Sequence, residues 1–147
     1  MNSRLPDDFR DRAKRYAAST IRLFVKLPKQ REEVKVLGKQ ALRSGTSVAA
    51  HVREASRARS EAEFTSKLGG ALQEADETAL WLELLREECG VDASQTKPLE
   101  TESSELIAIF TTMINRTRAR GVIGSSLSVF RMAVISAFYF LLSAFKG

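Results

Sequence analysis

The chain has 147 residues, 23 Lys and Arg against 18 Asp and Glu, one Cys and one His, and a formal net charge of +5. That length makes one domain, able to bury about 70% of its unfolded surface and so to fold without disulfide or metal staples. A lone Cys89 excludes an internal disulfide and any paired-cysteine metal site, and a lone His51 excludes most metal sites and the commonest catalytic arrangements.

The opening residues MNSRLPDDFRDRAKRY contain no apolar stretch of the kind that begins a secretory leader, so a cytoplasmic location is expected. A first helix is predicted from Pro6 or Asp7 to Lys26. Asp7, Asp8 and Asp11 place carboxylates where a helix N-terminus favours them. Phe9, Ala13, Tyr16, Ala17, Thr20, Leu23, Phe24 and Leu27 form its apolar stripe. Leu27-Pro28 stops it, because the residue before proline is pushed out of the helical region.

A second helix is predicted from about Arg31 to Ala58 and a third from Ser60 to Cys89. Leu37, Ala41, Ser44, Val48, Val52 and Ala55 recur at helical spacing, as do Phe64, Leu68, Ala71, Leu72, Ala75, Ala79, Leu82 and Leu85. Between the two runs Ser60-Glu61-Ala62-Glu63 reads as a capping box. The Ser60 hydroxyl would accept from the Glu63 amide, and the Glu63 carboxylate would reach back to the Ser60 N–H. Two long helices therefore fold back on each other at Arg59-Ser60. Their faces are rich in small residues, and Gly45, Gly69 and Gly70 inside them predict close helix approach, since a helical Gly costs roughly 0.5–1 kcal/mol relative to Ala. Gly90 reads as the glycine that ends the third helix.

Val91 to Lys97 reads as a loop, and Pro98 as the first residue of a fourth helix. Leu99, Leu106, Ile109, Phe110, Met113 and Ile114 give its buried face. Arg116, Arg118 and Arg120 crowd its last turn, where cations complement the helix dipole. The fold class expected is all-α: an up-down antiparallel four-helix bundle over residues 1–120, with an apolar helical tail over 121–147. Gly121, Gly124 and two serines suggest a break before the tail. Residues 127–145 are strongly apolar but for Arg131, and nineteen residues approach the length that spans a bilayer. The tail fits a helix packed on the bundle or at a subunit interface, a membrane anchor, or a non-native extension.

Charge is distributed in blocks. Residues 1–60 carry fifteen basic against six acidic side chains, residues 61–105 three against twelve, and residues 106–147 five against none. Basic first and second helices thus face an acidic third. Glu74 and Glu77, one turn apart, are placed to pair with basic residues of the second helix such as Arg43 or Arg53, or with a neighbouring subunit. Beyond such pairing, Arg43, Arg53, Arg57 and Arg59 with Arg116, Arg118 and Arg120 are candidates for binding RNA or DNA. No aromatic residue interleaves with these clusters, which predicts contact with backbone phosphate and little sequence preference.

Chemistry is sparse elsewhere. Neither GxxxxGK[ST] nor GxGxxG occurs. His51 has Val48, not Glu, three residues before it, so the Glu-x-x-His pairs of a di-metal bundle are missing. Ser47 and His51 lie one turn apart, but no third group completes a catalytic set. Cys89 beside a helix C-terminus has its thiolate disfavoured. Trp81 reads as a core or interface anchor. No cofactor, metal or catalytic residue is expected.

Taken in order and spacing, Leu42-Arg43-Ser44-Gly45-Thr46-Ser47, Glu54-Ala55, Phe64-x-x-Lys67-Leu68, Ala71-Leu72-x-Glu74-Ala75-x-Glu77-Thr78 and Trp81-Leu82 resemble a known family. It is the four-helix-bundle family named after proteins encoded in intervening sequences of bacterial 23S ribosomal RNA. That family includes the accessory variability determinant of diversity-generating retroelements. The resemblance runs from about Phe9 to about Arg118. It implies an up-down bundle, a ring-like homopentamer and no known catalytic activity. In the retroelement branch, similar proteins act alongside a reverse transcriptase and its template RNA. The contrasting expectation is a membrane-associated structural oligomer held by residues 127–145.

Overall fold

The computed structural model describes residues 3–144, with side chains described for residues 3–122. Four helices follow one another: α1 Asp7–Lys26, α2 Glu32–Ser56, α3 Glu61–Glu87 and α4 Ala93–Ala144, with no strand among the described residues. Each helix packs on the next, and α1 closes the ring against α4 along a shorter seam. This is the all-α up-down bundle that the sequence pattern predicts.

The core lies where the apolar stripes meet. Ala13, Val34, Val48, Leu68, Leu82, Leu85, Leu106 and Phe110 are fully enclosed. Phe9 of α1 meets Phe110 of α4 edge-to-face at 5.9 Å between ring centres, a favoured aromatic geometry. A layer of hydroxyls crosses this core. Tyr16 OH lies 2.6 Å from Ser103 Oγ, and Thr78 Oγ1 donates to Ser44 Oγ at 2.7 Å. The two pairs draw one hydroxyl from each helix, and all four residues are buried.

Three of the stops, Pro28, Ser60 and Gly90, act as predicted, with differences in detail. Leu27 adopts extended backbone before Pro28 and ends α1. Ser60 Oγ accepts from the Glu63 amide at 3.0 Å. The reciprocal half of the box is displaced by one residue: Glu63 Oε2 accepts from the Arg59 N–H at 2.9 Å, not from Ser60. Gly90 has φ of 65° after α3, a conformation only glycine adopts without strain, and the Val91 N–H then reaches Leu85 O at 2.9 Å.

The fourth helix departs from expectation at both ends. It begins at Ala93, not at Pro98, because Asp92 supplies the cap: its Oδ1 accepts from the Ser94 N–H at 2.7 Å. Pro98 sits inside the helix near its start, where the missing N–H removes a single early bond. The expected break at Gly121 and Gly124 is absent, and α4 runs on as helix to Ala144, about 78 Å for its 52 residues. Each glycine costs only about 1 kcal/mol in a helix, and no proline or positive-φ glycine interrupts the backbone there. No helix among the described residues is long and apolar enough to cross a membrane. The side chains of residues 127–145, on which the anchor, interface and extension readings rest, lie outside those described.

Candidate nucleic-acid interface

The α2–α3 joint, the N-terminal segment and the middle of α4 meet at one end of the bundle. The Arg4 N–H donates to Ser56 O at 3.0 Å and its Nε to Ala58 O at 2.7 Å. Ser56 is the last residue of α2 and Ala58 lies two residues past it, where intrahelical donors run out. Leu5 is buried beside them. Arg4 also lays its guanidinium over Phe64, 5.9 Å from the ring centre. Sequence reasoning passed over Arg4, since nothing in a short segment before a helix signals that it caps another helix.

The seven arginines singled out from sequence divide by their partners. Arg43 points across to α3, where it meets Glu77 at 2.7 Å and Glu74 at 3.4 Å; it is spent on α2–α3 pairing. Arg53 does not share that role, because Glu54 is claimed by Lys67 at 2.8 Å and Glu74 and Glu77 by Arg43. Arg59 stands within 3.7 Å of Glu63 with its side chain 86% exposed. Arg53, Arg57, Arg116, Arg118 and Arg120 are exposed and, among the described residues, have no carboxylate partner.

Four of these five gather round two cavities. Arg53 and Arg57 line a broad groove of about 930 Å³ on the outer face of α2, with Lys14 and Arg10 of α1 and Lys67 of α3. Several of its acids are already engaged: Asp7 by Arg10, Glu54 by Lys67 and Glu63 by Arg59. Arg116 and Arg120, one turn apart on α4, join Arg4 round a pocket of about 300 Å³. Arg118 is two residues from each and faces another side of the helix. The arrangement presents guanidinium groups to solvent from three segments, which suits phosphate oxygens.

The packing residues also divide. A side-chain carbon on Gly45 would stand 2.4 Å from Thr20 Cγ2, so this glycine lets α1 and α2 approach. On Gly70 it would stand 2.8 Å from His51 Cε1: the close neighbour is an imidazole, not the backbone expected. Gly69 has nothing within 4 Å, so it does not serve packing within the bundle. Gly38, overlooked in the sequence, sits against Leu27 and Phe24. Trp81 is half-buried and its Nε1 has no acceptor.

No reactive constellation forms from the sequence candidates. Ser47 Oγ donates to Arg43 O at 2.9 Å, turned to its own backbone rather than toward His51. Cys89 is buried. Among the described residues no group of three His, Cys, Asp or Glu is arranged to hold a metal ion.

Residues 8–112 match the profile of the 23S rRNA-intervening sequence protein family. A crystal structure of a protein of unknown function from the S23 ribosomal protein family of Bacteroides thetaiotaomicron is similar, with 36% identity and a TM-score of 0.65. The match covers 71% of this chain and 96% of that one. No curated protein matches the chain.

Proposed function

Since this chain belongs to the 23S rRNA-intervening sequence protein family, we propose that it is a non-enzymatic, homo-oligomeric bundle that binds nucleic acid through the arginines of its α2–α3 joint end. The observation that carries the reading is the gathering at this end of the exposed, carboxylate-free arginines Arg53, Arg57, Arg116, Arg118 and Arg120. Among the described residues Arg15 and Arg22 of α1 are also exposed without a carboxylate, whereas Arg10, Arg12, Arg31, Arg43, Arg59 and Arg86 pair with Asp or Glu. Phosphate contacts of this kind give binding that tracks charge rather than sequence. The family resemblance adds a reverse transcriptase and its template RNA as the partners in whose company such a module would work, in the cytoplasm.

Exposed apolar side chains support the oligomer. Ile21 and Val25 lie one turn apart on α1, and Val36 and Leu80 lie on α2 and α3, each about half exposed or more. A homopentamer is the assembly the resemblance implies. Light scattering on the purified chain tests this, and a monomer at micromolar concentration would overturn it.

Binding is tested by titrating RNA and DNA of several sequences into the protein at increasing salt. Contact with about five phosphates predicts an affinity loss of roughly 10²–10³ between 50 and 200 mM salt, with little change between sequences. Absence of binding at the lowest salt would refute it.

A further inference from the structure

The shallow pocket shared by Arg4, Arg116 and Arg120 sets exposed guanidinium groups beside apolar side chains. Its lining includes Leu5, Phe64 and Met113 together with one carboxylate, Glu61. Leu5 and Phe64 are buried, so the floor of the pocket is apolar and fixed. Arg4 is pinned at its Nε by Ala58 O and at its face by Phe64, which leaves its terminal nitrogens without a protein acceptor among the described residues. Arg116 and Arg120 have no carboxylate partner there either. Three guanidinium groups against one carboxylate leave the lining with a net charge of +2.

We propose that this pocket receives the terminal phosphate of a nucleic-acid strand. A phosphomonoester carries about −1.5 to −2 charges and three acceptor oxygens, which matches both the net charge and the number of guanidinium forks. An internal phosphodiester carries a single charge and offers fewer free oxygens. The groove beside Arg53 and Arg57 suits the continuing backbone, and the pocket suits its end. This assignment rests on the nucleic-acid reading above and adds end recognition to it.

The experiment uses the whole chain and four versions of one short single strand: 5′-phosphorylated, 3′-phosphorylated, hydroxyl-ended and circular. An end phosphate is expected to tighten binding about tenfold over the hydroxyl-ended strand, the scale of one charge-assisted contact. Arg116→Gln with Arg120→Gln should abolish that preference and weaken the hydroxyl-ended and circular strands alike, by the general loss that two missing phosphate contacts bring. These side chains are exposed and unpaired, so thermal melting should be unchanged; Arg4→Gln is the second variant, with the same expected loss. Equal binding of phosphorylated and hydroxyl-ended strands, or a preference that survives both variants, sinks the proposal. Inorganic phosphate binding as tightly as the phosphorylated strand would assign the pocket to the free anion and overturn strand-end recognition. Circular strand bound without end preference leaves the general reading standing and removes the pocket; end preference with no binding of the circular strand does the reverse.

Discussion

Tyr16 on α1 and Ser103 on α4 hold each other across the closing seam of the bundle by a hydrogen bond of 2.6 Å in a fully buried setting. Ser103 also donates to Leu99 O, so it keeps a partner when Tyr16 loses its hydroxyl. Tyr16→Phe should therefore cost about 1 kcal/mol, and Ser103→Ala about 1–2 kcal/mol because it leaves the phenol less satisfied. Urea denaturation measures both. Burial raises the Tyr16 phenol above its usual range, beyond what its hydrogen bonds to Ser103 and Thr78 offset. The stability held by the neutral phenol is complete below the unfolded value near 10 and is lost as pH climbs through the higher folded value. Tyr16→Phe should flatten that alkaline loss.

Gly45 and Gly69 should respond oppositely to the same change. Gly45→Ala forces a methyl against Thr20 and should destabilise by about 1–3 kcal/mol. Gly69→Ala meets open space within the protomer and should stabilise it by roughly 0.5–1 kcal/mol through helix propensity. Thermal melting separates them. A Gly69→Leu variant that alters the subunit count would place Gly69 at a contact between copies.

At the α3–α4 turn, Glu100 bonds Arg86 at 3.0 Å and Lys97 at 2.9 Å with its side chain only 15% exposed. Burial alone would raise this carboxyl, but hydrogen bonds from Arg86 and Lys97 outweigh it and bring it down to about 2. A depressed carboxyl stabilises the fold above its unfolded value of about 4.5 and loses that contribution as pH falls toward 2. Screened by nearby solvent, the effect should be on the order of 1–2 kcal/mol. Stability of Glu100→Gln followed from pH 6 to 2.5 should show a shallower acid decline than the parent chain; identical profiles would remove Glu100 from the account.

Arg43 lies within α2 and Arg57 just past its C-terminus, and the two should behave differently. Arg57→Glu should weaken nucleic-acid binding several-fold at low salt, whereas Arg43→Glu should lower stability by about 1 kcal/mol through like charges at Glu74 and Glu77. Binding and unfolding measured on each variant check this. Equal loss of binding in both would mean that Arg43 is free to leave its carboxylates.

Helices and their stops were legible because proline, glycine and a Ser-x-x-Glu box act on the nearest few bonds. Pro28, Ser60 and Gly90 each work within one turn. The start of α4 was missed because Pro98 is a familiar first helical residue, while the actual cap, Asp92, is a single carboxylate in a polar run. The continuous course past Gly121 was missed for a related reason: a glycine weakens a helix without ending it unless its φ turns positive. At the candidate interface, charge blocks located the arginines but not their partners. Arg43 and Arg53 stand about 15 Å apart along α2, so which of them meets Glu74 depends on how α2 and α3 align along their axes, which the periodicity of either helix does not fix. The role of Arg4 and the contact of His51 with Gly70 join residues on different elements, and no local pattern encodes them.

The uneven closure of the ring has a kinetic consequence. The α1–α4 seam is the short one, fastened by Tyr16–Ser103, Phe9–Phe110 and the fork of Arg12 onto Glu102 at 2.6 and 2.9 Å. Elsewhere, long interlocked surfaces join neighbours. Breathing of the native state should begin along this edge, with α1 and α2 swinging away from α3 and α4 as two leaves about the α2–α3 packing. Deuterium should then enter the inner amides of α1 before those of α3.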